Sequence, residues 1–443
     1  MPTPDPAAEP DLERVRVEDL PDHVGRDVRL RGWVRHFRSS GKIAFLEVRD
    51  GSGEVQAVFP RDQVDDGSWE TLDEVHYEAS VEVRGTVEED ERAPGGHEIS
   101  ATGLTLVGPS EDYPIQPKEH GVDFLLDHRH LWLRHPRQVA IMRVRNEVVR
   151  AIRDFYYERD FVLIDTPILT GSIGEEAGTL FETEYFDEGA AYLAQTGQLY
   201  AEAAAAAHDR VYCFGPTFRA EKSKSPQHLT EFWMVEPEVA WLDSEGNMAL
   251  QEEFVTFIVK RALERCGDEL ETLERDTGPL ETVLSERFER MSYTEAVESV
   301  RSDGVEIEWG EDLRGEAEKA LMEGRSRPLF VYDWPKEAKA FYMKVNPEDP
   351  RTVKCDDLLA PEGYGELIGG SQREDDHDIL LSRIREEGLP EEAYDWYLDL
   401  RRYGTFPHSG FGLGVERTVA WICGTEHVRE CIPFPRLTNR IEP

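Results

Sequence analysis

Between residues 14 and 108, apolar and polar positions alternate in short runs: Val28–Val34, Ile43–Val48, Val55–Phe59, Val81–Val87 and Ile99–Leu106. Turn sequences such as Asp50-Gly51-Ser52-Gly53 and Ala93-Pro94-Gly95-Gly96 separate them. A period of two marks half-buried strands. Five strands this short and this evenly spaced predict a small five-stranded barrel of the oligonucleotide-binding (OB) type. Residues 1–13, rich in proline and acid, are expected to be a flexible N-terminus. Gly108 to Gly121 has three prolines and no periodicity, which predicts a linker or hinge over 109–127.

From Arg137 the period lengthens. Val139, Met142, Val149, Ile152 and Tyr156 form a helical stripe that leads into the apolar strand Phe161–Ile164 and then Pro167. Such a helix suits a core or an interface. Residues 212–238 read as a hairpin: an apolar strand, a polar loop from Lys222 to His228, and a second strand with Phe232 and Trp233. On a strand, Arg219 and Glu221 share a face. That face offers a cation for a phosphate and an acceptor for an amino group, although a solvated edge strand would carry the same charges idly. Near the C-terminus, glycines recur every second residue in His408-Ser409-Gly410-Phe411-Gly412-Leu413-Gly414. A strand without side chains on one face lets a flat ligand approach its backbone. Arg417 follows in the first turn of an apolar helix and aims back at that surface. Residues 267–330 are acidic and helical in places, with little legible chemistry. No internal repeat, dinucleotide fingerprint or P-loop is present.

Composition sharpens this outline. The 443 residues carry 91 acids against 50 Lys+Arg, a net charge of −41 spread along the chain. Only ten of the basic residues are lysine. Such a surface repels itself in dilute buffer and is screened at high ionic strength, which points to a salt-rich cytoplasm and a halophilic composition. The five cysteines lack zinc or disulfide spacing, no run is long and apolar enough for a membrane span, and the N-terminus has no signal-peptide pattern. A cytoplasmic protein with no membrane partner is expected.

Local charge reverses in the barrel. Arg26, Arg29, Arg31, Arg35, Arg38, Lys42 and Arg49 outnumber Asp27 and Glu47, with Trp33, Phe37 and Phe45 interleaved. Cations for a backbone and aromatics for stacking fit a single-stranded nucleic acid. Trp33 and Phe45 read equally well as barrel core. Phe37, in a predicted loop between His36 and Arg38, is the better stacking candidate, with Arg35 and Arg38 beside it. Elsewhere, Asp356-Asp357 and Glu366 precede Gly369-Gly370 and Arg373, and hard oxygen ligands of this kind suit Mg²⁺.

Together these motifs resemble the class II aminoacyl-tRNA synthetases. The helix and strand of about 137–167 are similar to motif 1, residues of about 212–238 to motif 2, and those of about 408–423 to motif 3. An N-terminal barrel preceding them is similar to the subclass that charges aspartate, asparagine and lysine. Asp123–His130, Phe214–Thr217, Glu231–Met234 and Arg401–Thr405 resemble its asparagine members in particular. The resemblance implies an α+β chain. An OB-type barrel (14–108) would bind the tRNA anticodon. A catalytic domain (128–443) would hold an antiparallel sheet flanked by helices, receive the tRNA acceptor end, and pair as a homodimer through motif 1. It further implies that ATP and L-asparagine form an asparaginyl-adenylate, which then charges tRNA. Residue by residue, Arg219 would hold the α-phosphate and the substrate carboxylate, and Glu221 would accept from the adenine amino group. Phe232 would stack on one adenine face, and Arg417 would cover the other and reach the γ-phosphate. His228 would contact the phosphates, Gly414 would lie against the nucleotide, and Asp357 and Glu366 would hold Mg²⁺. Glu175 and Gln198 match contacts to the α-amino group, and Arg373 matches the reader of the substrate side chain.

The choice of amino acid rests on residues beside Gln198. Aspartyl enzymes follow Gln-Leu-Tyr with a lysine. Here Ala201 stands at that position and Glu202 follows. A carboxylate can accept from a carboxamide and repels a second carboxylate in a low-dielectric pocket. Both changes favour asparagine, although on a strand Glu202 facing away as a bystander is the lesser alternative. An aspartyl enzyme, or a synthetase-like protein that charges no tRNA, is the alternative reading.

Overall fold

In the computed structural model, which describes residues 12–171, 179–223 and 225–443, every second residue of the early strands turns inward. These strands are β1 (Glu13–Val15), β2 (Asp27–Ser39), β3 (Ile43–Arg49), β4 (Glu54–Pro60), β5 (Ser80–Glu89) and β6 (His97–Gly108). They run in the order β1-β2-β3-β4-β6-β5, and β5 pairs back onto β2 to close a five-stranded barrel. Val28, Leu30, Leu46, Val48, Ala57, Phe59, Val83 and Ile99 fill it. A slip of one residue would turn this whole set into solvent, so the alternation itself specifies the register.

β2 shifts register between Val34 and His36. The bulge lets the strand continue to Ser39, so Phe37 lies on β2 opposite Leu46, half-buried against the barrel core, and not in a loop. Trp33 faces outward and is 39% exposed.

Chain packing separates Met1–Gly121 from Val122–Pro443. Residues Val122–Asp127, expected within the linker, form a helix, and the Asp127 carboxylate accepts from Arg440 at 2.6 Å.

The second unit contains β7 (Val162–Leu163), β8 (Leu169–Thr170), β9 (Glu182–Glu184), β10 (Ala190–Leu193), β11 (Arg210–Phe218), β12 (Glu231–Ala240), β13 (Glu289–Ser292), β14 (Leu329–Tyr332), β15 (Cys355–Ala360), β16 (Gly365–Gln372) and β17 (His408–Gly414). β8, β10 and β9 form a small sheet. The others make an eight-stranded sheet in the order β13-β14-β15-β16-β17-β12-β11-β7. It is antiparallel apart from its two outermost pairs.

Helices Pro136–Tyr157 and Ser244–Arg265 build the core on one face of this sheet. Pro136 opens the first, where its missing N–H costs nothing, and the Asp243 carboxylate caps the second by accepting from the Gly246 N–H. The buried side of the first helix is Ile141, Val144, Val148, Ile152, Phe155 and Tyr156, packed with Phe254, Ile258, Phe411 and Trp421. Val139, Met142 and Val149 from the predicted stripe lie at its half-buried margin. Among the described residues no helix is long and apolar enough to cross a membrane, and all five cysteines are buried free thiols.

Candidate active site

The hairpin of residues 212–238 forms as β11 and β12, antiparallel with Phe218 opposite Glu231. Its first strand ends at Phe218, so Arg219 and Glu221 sit in the segment just beyond and not on the strand face. Backbone bonds hold that segment: the Arg219 N–H donates to the Thr230 carbonyl at 3.0 Å, and the Ala220 N–H to that of Thr179 at 2.8 Å. The Arg219 guanidinium carbon lies 5.4 Å from the Phe232 ring centre. The Glu221 carboxylate is 3.7 Å from His228 Nε2. Burial, and then Arg417, depress the His228 pKa.

β17 supplies the floor beside the hairpin. A Cβ at Gly410 would collide with the Glu238 carboxylate and the Pro237 carbonyl, so only glycine permits this approach. Helix Val415–Cys423 follows, and Arg417 in its first turn donates to the Glu366 carbonyl. Glu416 ties the three motif regions together. Its carboxylate accepts from the Trp233 N–H at 3.0 Å and pairs with Arg145 of helix Pro136–Tyr157 at 2.8 Å.

These elements enclose a cleft of about 1730 Å³. Gln198, Arg219, Glu221, His228, Phe232, Asp357, Glu366, Arg373, Gly414 and Arg417 all line it, so the structure brings together ten of the residues singled out in the catalytic part of the sequence. Glu175 lies outside the described residues. Asp312, Arg314 and Glu318 form another wall, from a stretch with no legible chemistry in the sequence, and Lys319, Lys336 and Lys339 also face the cleft.

Asp356 and Asp357 are successive on β15 and therefore point to opposite faces. Asp356 is fully buried, accepts from Gln251 Nε2 at 2.6 Å, and is pushed up to about 7 by that burial. Asp357 faces the cleft, where Lys339 Nζ donates to both its oxygens at 2.6 and 2.8 Å. A Cβ at Gly369 would stand 3.0 Å from Glu366 Oε1 and 3.8 Å from Asp357 Oδ1, so the two carboxylates converge over that glycine. The two carboxylates are hard oxygen donors of the kind magnesium takes, with Lys339 paired to one of them.

Residues Gln198–His208 form a helix, not a strand. Gln198 and Glu202 thus fall on one helical face, one turn apart. Gln198 Nε2 donates to Glu202 Oε1 at 3.0 Å, which leaves the Gln198 carbonyl oxygen for a donor in the cleft. Glu202 is 1% exposed and does not reach the cleft. Its carboxylate also takes the Tyr397 hydroxyl at 2.7 Å, Arg401 at 2.8 Å and His408 Nε2 at 2.9 Å. Four partners occupy its acceptor sites, so the expected direct contact with a substrate carboxamide is not available to it. Burial alone would raise the Glu202 pKa, but Arg401 and His408 draw it below the usual carboxylate range.

Beside this cluster Glu238 pairs with Arg373, whose Nη2 lies 2.5 Å from Glu238 Oε1. Burial pushes the Glu238 pKa upward. Glu236, two residues earlier on the same face of β12, accepts from the Gly197 N–H at 2.8 Å and from the Thr196 hydroxyl. Neither glutamate was singled out from the sequence, although two acids at period two inside an apolar strand are a legible sign. Glu202, Glu238 and His408 place ligand atoms within 4.8 Å of one another, but Arg401 and Arg373 already neutralise the two carboxylates, so the cluster does not fit a metal.

In the barrel, Arg35 is held by the Tyr77 hydroxyl at 2.5 Å, by Glu54 at 3.3 Å and by Glu78 at 3.4 Å. Arg38 stacks over Phe45 at 4.4 Å, and Arg49 lies 5.1 Å from the centre of the Trp33 ring. Arg49 is tied to Glu78 as Arg35 is, so the outward aromatic and cationic face is Trp33, Phe45 and Arg38.

The sequence matches two family models: "tRNA synthetases class II (D, K and N)" over residues 121–438, and "OB-fold nucleic acid binding domain" over residues 28–107. It is 54% identical over 432 residues to the asparagine–tRNA ligase of Pelotomaculum thermopropionicum, covering 98% of this chain and 100% of the relative. It is also 54% identical over 437 residues to that of Thermus thermophilus, covering 97% and 100%. Among solved structures, asparaginyl-tRNA synthetase from Pyrococcus horikoshii complexed with asparaginyl-adenylate aligns with a TM-score of 0.95 at 46% identity, covering 97% of this chain and 100% of that one.

Proposed function

The chain belongs to the class II aminoacyl-tRNA synthetases, among the asparagine–tRNA ligases, and from that premise we propose how its residues divide the work. The enzyme joins L-asparagine to tRNA through an asparaginyl-adenylate made from ATP, releasing pyrophosphate and then AMP. The observation that supports this division is the convergence of the β11–β12 hairpin, the glycine strand β17 with Arg417, and Gln198 and Arg373 on one cleft.

ATP lies against β17, with its adenine between Phe232 and Arg417 and its amino group on Glu221. Gly414 lets the nucleotide approach the backbone. Asparagine binds deeper, its ammonium on the Gln198 carbonyl oxygen and its carboxamide beside the Arg373–Glu238 pair. The substrate carboxylate then attacks the α-phosphorus in line. Arg219 touches both reacting groups and takes up the charge that spreads over the phosphoryl oxygens, while His228 and Arg417 hold the remaining phosphates. No protein nucleophile takes part. Asp357 and Glu366 would hold Mg²⁺, which supplies further charge neutralisation on the phosphates.

The barrel binds the anticodon, with bases stacking on its outward aromatic face. Two copies pair through motif 1, where Val162 and Leu163 on the edge strand β7, and Ile168 and Leu169 shortly after it, are each 39–45% exposed. The acidic surface suits a salt-rich cytoplasm. Pyrophosphate exchange measured with asparagine and with aspartate tests the reading. Exchange with asparagine alone is expected; strong exchange with aspartate and none with asparagine would overturn it.

A further inference from the structure

We infer that Glu202 determines amino-acid specificity as a positioning residue: without touching the substrate, it cancels positive charge behind Gln198, so that a carboxamide is retained and a carboxylate turned away. The inference rests on the asparaginyl reading above and deepens it.

Every charged element packed around Glu202 contributes. Helix Asp395–Arg402 brings Arg401 and Tyr397, β17 brings His408, β12 brings Glu238 and Glu236, and the end of β16 leads to Arg373. Arg401 also donates through Nε to the Glu374 carbonyl at 2.8 Å, while the Glu374 carboxylate pairs separately with Lys344. His408 places Nδ1 2.9 Å from the Phe406 carbonyl and Nε2 2.9 Å from Glu202. Both ring nitrogens thus face oxygen partners. Two buried ion pairs, Arg401 with Glu202 and Arg373 with Glu238, therefore balance each other's charge behind the pocket.

That balance decides what the pocket accepts. Asparagine enters with a neutral side chain and leaves it intact. Aspartate would bring an unmatched anion into a site where Glu202, Glu238 and Ser371 are fully buried, and low dielectric makes such an excess costly. With Glu202 made neutral, Arg401 would lose its counter-charge, and a surplus cation behind the pocket would attract a carboxylate. Gln198 would also lose the acceptor that fixes its amide orientation. The first effect discriminates between the two amino acids, and the second weakens both equally.

The test compares exchange with asparagine and with aspartate for the full chain and for two variants of opposite sign, Glu202→Gln and Arg401→Gln. In Glu202→Gln the ratio of kcat/KM for asparagine over aspartate should fall on the order of tenfold or more. In Arg401→Gln it should move the other way. Equal losses for both amino acids, with the ratio unchanged in either folded variant, would overturn the inference and leave Glu202 a structural prop. If Glu202→Gln does not fold, as judged by circular dichroism, the Arg401→Gln ratio decides alone. Failure of the unaltered chain to activate asparagine would instead remove the asparaginyl reading itself.

Discussion

The Lys339 ammonium lies 2.6 and 2.8 Å from the two carboxylate oxygens of Asp357 and 4.1 Å from the centre of the Trp334 ring. A carboxylate proposed to serve a divalent cation is thus already held by a protein cation. Burial opposes the charge on Lys339, but Asp357 holds its pKa above the usual range. Lys339→Met strands a buried carboxylate and should cost about 3 kcal/mol in urea unfolding. Lys339→Met combined with Asp357→Asn should recover most of that loss. Equal stability of the single and double variants would show that the pair is not coupled.

Arg219 is the group proposed to touch both the attacking carboxylate and the α-phosphate. Arg219→Ala should lower pyrophosphate exchange by about 10²- to 10³-fold, a loss typical of removing a preorganised group from a transition state. Circular dichroism should be unchanged, because the cleft segment is held mainly by backbone bonds.

Asp356 gives a pH dependence whose sign can be worked out. Its folded pKa of about 7 lies above the ordinary value of 3.8, so between these the folded state keeps a proton that the unfolded state has lost. Stability from this group is therefore present at low pH and falls as pH rises from about 4 towards 7. Asp356→Asn keeps an acceptor for Gln251 without the charge. It should stabilise the protein by about 1–3 kcal/mol at pH 8 and by little at about pH 4, as read by denaturant midpoints at the two pH values.

The barrel separates stacking from packing. Trp33 faces solvent, whereas Phe37 lies partly in the core. Trp33→Ala should weaken tRNA binding about tenfold, in line with the worth of one stacked base, and leave the melting temperature nearly unchanged. Phe37→Ala should lower the melting temperature more than the affinity. The reverse pattern would return Phe37 to the role read for it from the sequence.

A net charge of −41 implies self-repulsion that salt relieves. Raising KCl from about 0.1 M to about 1 M shortens the screening length from about 10 to about 3 Å. The melting midpoint should rise by at least about 3 °C. A flat response would remove the halophilic reading of the composition.

Strand positions were the most legible part of this chain, because alternation has a period that burial on one face imposes. Four of the five expected barrel strands begin and end within two residues of the sequence expectation, β2 runs on past Val34 to Ser39, and the glycine strand and Arg417 fall where their pattern placed them. What escaped depended on partners far away in sequence. Gln198-Leu199-Tyr200-Ala201-Glu202 has too few periodic positions to reveal a helix, and nothing local to Glu202 announces Arg401 or His408 about two hundred residues later. Phe37 was misplaced by a single-residue bulge, which moves a side chain without changing composition. Asp312 to Glu318 gave no sign because acids are so common here that those lining a cleft look like those on the surface.

Lysine is scarce in this protein, ten residues in all, yet Lys319, Lys336 and Lys339 line the cleft and Lys222 stands in the hairpin loop beside it. A surface made of carboxylates and guanidiniums offers amine-selective reagents few targets. Lys42, Lys118 and Lys260 are exposed outside the cleft, so acylation of Lys319 and Lys336 measured against those three would report whether the cleft is filled.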